Sequence, residues 1–126
     1  MKGIKKQFIK GYLNLRTVED KSGLLIIHSS KLNDVESDNA IYGEKIIKLL
    51  QGIKGIISLN VDYNKGLVTI KYDVTILNTP LIFKYIDLII EVVAENLDTI
   101  NKTPPEKVDE VLLVLNEKLN AKIAKL

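Results

Sequence analysis

A single imidazole, His28, is the first place where this chain could do chemistry. It closes the apolar run 24–27 and is followed by Ser29 and Ser30, so a loop could bring a serine, the histidine and an acid together for hydrolysis. No Gly-x-Ser-x-Gly elbow accompanies them, and the preferred reading of His28 is a partly buried structural residue. A metal is no better served. With no Cys and no second His, the chain offers one imidazole where transition-metal sites take several soft or imidazole ligands. Asp34, Glu36 and Asp38 alternate like the oxygen ligands that open a calcium loop. The loop's sixth position, however, is Asn39 instead of Gly, and its twelfth is Lys45 instead of Glu, so a solvated helix-entry loop is expected there. Gly52 and Gly55 form no phosphate-binding fingerprint and punctuate a helix-to-strand turn. These residues supply no catalytic, cofactor-binding or metal position. The expectation is a protein that is not an enzyme and folds without a cofactor.

Charge adds one more candidate. The net charge of +2 on 126 residues does not by itself argue for nucleic acid. Its distribution is uneven: Lys2, Lys5, Lys6, Lys10 and Arg16 fall within the first 16 residues with no acid among them, leaving about −3 on the rest. This arm, with Phe8 and Tyr12 between its lysines, could touch an anionic surface such as lipid or nucleic acid. A solvated tail is the preferred reading, because five charges are modest and few aromatics are present for base stacking.

The elements that must position these residues follow from hydrophobic period. A chain of 126 residues, 46% hydrophobic and 27% charged, can bury one core without a disulfide. Residues 1–9 read as a tail or short helix and 11–18 as a strand, followed by a polar turn at 19–23 and a buried strand at 24–27. Ser37 or Asp38 can cap a helix carrying Ile41, Tyr42, Ile46, Leu49, Leu50 and Ile53. Ile57, Leu59, Val61 and Tyr63 then alternate with polar residues, as do Val68, Ile70 and Tyr72, and Asn64, Lys65 and Gly66 between them predict an antiparallel hairpin.

Thr79-Pro80 starts a helix running to about Leu97, whose polar residues Lys84, Asp87, Glu91 and Glu95 occupy one narrow stripe. The same charges exclude a membrane span, at about 2.5 kcal/mol or more each near a bilayer centre. Residues 1–16 also lack the apolar stretch of about 7–15 residues that a secretory signal needs. Thr103, Pro104, Pro105 and Glu106 begin a last helix at capping-box spacing, with Val108, Leu112, Leu115, Leu119 and Leu126 on a seam that Lys122 interrupts. That seam can cover the preceding helix or a second copy. Leu112, Leu115 and Leu119 are therefore the candidate self-association residues, and a homodimer is slightly favoured.

This order of elements is most of the ferredoxin-like pattern. Residues 52–73 resemble the centre of heavy-metal-associated domains: Gly52 and Gly55-Ile56 lead from a helix into a strand, Asn64-Lys65-Gly66 turns it, and the next strand ends in Tyr72-Asp73. The resemblance covers about residues 23–97. Where the metallochaperones of that family carry Met-x-Cys-x-x-Cys, this chain reads His28-Ser29-Ser30-Lys31-Leu32-Asn33, so thiolate transfer of copper or zinc is excluded. It looks closer to the cysteine-free branch, found as small bacterial proteins and as cytosolic extensions of metal-transporting P-type ATPases. Many of that branch have a Gly-Arg-x-Arg first strand; here the residues are Gly23-Leu24-Leu25-Ile26-Ile27.

The expected fold is α+β, a ferredoxin-like βαββα(β) antiparallel sheet with an additional C-terminal helix and no evident fourth strand after the long helix. Three parts are expected: a basic arm with an extra strand over 1–22, the heavy-metal-associated-like domain over 23–100, and a C-terminal helix over 101–126. The resemblance implies a cytoplasmic, non-catalytic interaction or regulatory domain of transition-metal transport or storage, peripheral to the membrane if docked on a metal-transporting ATPase. The competing reading is a nucleic-acid-binding module using the basic arm.

Overall fold

The computed structural model describes residues 14–29, 40–102 and 105–126. In chain order these form β1 (Arg16–Lys21), β2 (Leu24–His28), α1 (Ala40–Gln51), β3 (Ile56–Asp62), β4 (Leu67–Tyr72), α2 (Thr79–Glu95), α3 (Leu97–Lys102), a 3₁₀ turn (Pro105–Lys107) and α4 (Val108–Ile123). The four strands make one antiparallel sheet in the order β1-β2-β4-β3. Since β2 and β3 are each antiparallel to β4, they run parallel to one another with β4 between them. This split β-α-β arrangement around α1 is the ferredoxin-like core that the sequence leads one to expect.

The fourth sheet position explains why, among the described residues, no strand follows α2. β1 pairs with the outer side of β2 and runs parallel to β4, where a C-terminal strand would complete the pattern. It is supplied from the N-terminal side by a hairpin whose turn is only Ser22 and Gly23, the latter at φ +80°. The expected strand at 11–18 and polar turn at 19–23 are thus shifted: Glu19, Asp20 and Lys21 belong to the strand. At a sheet edge these side chains reach water, so the position tolerates charges that a central strand would exclude.

The β3–β4 hairpin forms as expected, with Asp62 accepting at Oδ1 from the Lys65 amide (3.1 Å) and Gly66 at φ +68° closing the turn. Leu59 pairs with Ile70 and Val61 with Val68, but a bulge at Ile57 breaks the alternation and leaves that side chain 70% exposed. Gly55, at φ +100°, accepts from the Asp73 amide (2.8 Å) and lets the chain pass under Ile76 and Leu77. Asp73 in turn accepts from the Thr75 hydroxyl (2.6 Å) and amide (2.9 Å), which hold its carboxyl below the usual range. The Gly-Ile and Tyr-Asp residues that carry the family resemblance are therefore the two sides of one structural corner.

α2 is the central helix. Its cap is Asn78, whose Oδ1 accepts from the Leu81 amide (2.9 Å), while the Thr79 hydroxyl donates to Asp20 of β1 (2.6 Å). Its wide apolar surface needs more than a sheet to cover it. Ile82, Ile86, Ile89, Ile90, Val92 and Val93 are buried in one core with Leu25, Ile27, Ile70 and Tyr72 of the sheet, Leu49 and Leu50 of α1, and Leu115 and Leu119 of α4. α4 folds back against both α1 and α2. Its regular part starts at Val108 after the 3₁₀ turn, with Lys107 making no side-chain cap bond; the expected capping residues Thr103 and Pro104 lie outside the described residues.

Candidate interaction surface

His28 ends β2 opposite Arg16 of β1, and the guanidinium Nη2 lies 3.5 Å from the imidazole Nδ1. A guanidinium only donates, so a neutral ring in this contact accepts at Nδ1 and carries its proton on Nε2. Ser29 is 1% exposed, and its amide donates to the Gly66 carbonyl (2.8 Å). A Cβ at Gly66 would stand 2.5 Å from the Ser29 carbonyl oxygen and 3.3 Å from Nε2 of His28. The end of β2 is thus pressed against the β3–β4 turn, with half-buried His28 beside the Arg16 guanidinium.

Of the expected anionic-surface contacts, only Arg16 falls within the described residues, exposed on β1. Lys2, Lys5, Lys6 and Lys10 lie outside them, as do Ser30, Asp34, Glu36 and Asp38. Among the described residues, no three His, Asp or Glu side chains converge as a metal-holding group, and no helix is long and apolar enough to cross a membrane.

The seam of α4 is turned inward. Leu115 and Leu119, expected at a self-association surface, are 1% and 0% exposed inside the single chain, and Leu112 is half-buried. Lys122, which interrupts the seam in sequence, holds it in place: its ammonium donates to Glu91 (2.7 Å) and lies 2.9 Å from a Glu95 oxygen, both on α2. The Glu91 hydrogen bond and then that of Glu95 raise the Lys122 pKa above its ordinary value. One turn earlier, Lys118 donates to Oδ1 of buried Asn96 (2.6 Å), whose Nδ2 donates to the Val92 carbonyl (2.7 Å) at the end of α2.

What α4 leaves outside is Leu113, 66% exposed, and Val114, 44% exposed. Leu113 and Leu112 line an open groove of about 350 Å³ with Leu49 and Gly52 of the α1 end, flanked by Lys48, Asp109 and Asn116. A second open groove, about 440 Å³, runs on the other side of α1 between Ile47, Lys48 and Gln51 and the β3 residues Leu59 and Val61, ending at Tyr63. No family model, curated protein or solved structure matches this chain. Sequence reasoning passed over both grooves. The sequence signal of the first is Leu113, an apolar residue off the inward seam of its helix.

Proposed function

We propose that this chain is a non-catalytic interaction or regulatory domain of transition-metal transport or storage, docking on a partner such as the cytosolic part of a metal-transporting ATPase. The observation that carries docking is the groove between α1 and α4, where Leu112 and Leu113 form an apolar centre between Lys48 and Asp109. An open apolar centre with charges at its rim suits the side chains of another protein, whereas small substrates are usually enclosed.

Metal handling rests on the resemblance of residues 52–73 and is supported by the split β-α-β order that this resemblance requires. In this reading the metal is the partner's cargo, and the domain works at the cytoplasmic face of the membrane. Membranes holding a metal-transporting P-type ATPase should retain the full chain at about 0.5 M salt, where exposed charge pairs are screened. Membranes without the ATPase should release it, and Leu113→Lys should abolish retention. Equal retention by both membranes, lost on adding salt, would overturn the proposal in favour of charge-driven lipid contact through the basic arm.

A further inference from the structure

The groove between α1 and α4 carries more than an apolar centre. Lys48, in the last turn of α1, and Asp109, in the first turn of α4, stand exposed on its two walls. Each complements the dipole of its own helix. Among the described residues, however, neither forms an ion pair, with the other or with any third group. Asn116 is a further polar side chain of the groove that makes no hydrogen bond among the described residues, and its Oδ1 would lie 4.0 Å from a Cβ at Gly52. Gly52, just past the end of α1, has no such atom, so the floor between the walls is open.

Helical walls select the kind of occupant. Lys48, Leu49, Leu112, Leu113 and Asn116 lie inside helices, whose backbone groups bond along the helix, so the groove offers side chains and no sheet edge to an extended strand. Asp109, Leu112, Leu113 and Asn116 follow one another at helical spacing, a stripe about 10 Å long at about 1.5 Å per residue, which matches about two turns of a facing helix. We infer that the occupant is an amphipathic helix of the partner: apolar residues three and four apart meet Leu112 and Leu113, an acidic residue on the flank toward α1 meets Lys48, and a basic residue on the flank toward α4 meets Asp109. With opposite charges on its flanks, such a helix enters in one direction, since the reverse sets acid against Asp109 and base against Lys48. Apolar contact supplies the retention, and the two charges choose the partner. This inference rests on the docking reading and adds to it the shape, charges and direction of the segment that docks.

Calorimetric titration of the full chain with the soluble cytosolic portion of a metal-transporting P-type ATPase tests it. Lys48→Glu and Asp109→Lys, both at exposed side chains, should each weaken binding about tenfold. The double variant keeps the net charge of the chain and should bind more weakly than either. In the wild-type complex, amide exchange should protect one segment of the ATPase portion about two helical turns long, with an acid and a base on opposite flanks of its apolar face. Wild-type binding that Leu113→Lys abolishes and both charge reversals leave unchanged would overturn the inference while the docking reading stands. Protection of an extended, strand-forming segment overturns it likewise. No binding by the wild type removes the docking reading itself, and this inference with it.

Discussion

Lys122 shows how one charge in an apolar seam can serve packing. Its side chain is 27% exposed and its ammonium is satisfied by two carboxylates of α2, so the head ties α4 down within the seam. Solvent screening holds such a half-exposed pair of contacts to about 1 kcal/mol, and Lys122→Ala should lower stability by that amount in urea unfolding. Because the carboxylates raise the Lys122 pKa, the stabilisation is fully present below the ordinary lysine value and disappears as pH rises through the raised one. The gap between wild type and variant should therefore close only in strongly alkaline solution. Core positions act on a larger scale. Ile70, fully buried, should cost about 2–5 kcal/mol when changed to Ala, whereas half-buried Val61 should cost about 1 kcal/mol; equal urea midpoints for Ile70→Ala and wild type would reverse the two faces of the sheet.

At the scale of elements, turns decide as much as periodicity does. Gly55 sits at φ +100°, and a Cβ there would lie 2.8 Å from Ile76 and Leu77 side-chain carbons. Gly55→Ala should therefore destabilise by about 2–4 kcal/mol through backbone strain and overpacking, while Gly52→Ala, whose nearest contact is 3.5 Å, should change little; thermal unfolding of the two variants checks this. The β3–β4 hairpin, the start of α2 and the buried strand β2 were legible in sequence, because alternation, Thr79-Pro80 and an unbroken apolar run each reflect local chemistry. β1 was less so. Its charges obey edge exposure and carry no alternation, so sequence pattern alone starts the strand too early and reads its end as a turn. The inward direction of α4 was also hidden, since a leucine seam looks the same whether it covers α2 or a second copy; the burial of Leu115 and Leu119 and the contacts of Lys122 with Glu91 and Glu95 distinguish them. Apart from Leu113, off the inward seam, nothing in the sequence marks the grooves, because they arise where α1 meets α4 and β3.

Over the whole molecule, the N-terminal side of the chain completes the sheet and the C-terminal helix completes the core, so the ferredoxin-like centre is closed from both ends. Among the described residues two open grooves border α1, and the first offers an apolar centre with a charged rim. The role proposed for such a surface is binding, with the metal as the partner's cargo. The most direct test is a calorimetric titration of the full chain with the soluble cytosolic portion of a metal-transporting P-type ATPase, with and without copper(I). Saturable one-to-one binding, unchanged by the metal and at least tenfold weaker for Leu113→Lys, is the predicted result. Heat only from copper(I), with a tight stoichiometric site on this chain and none from the ATPase portion, would contradict it.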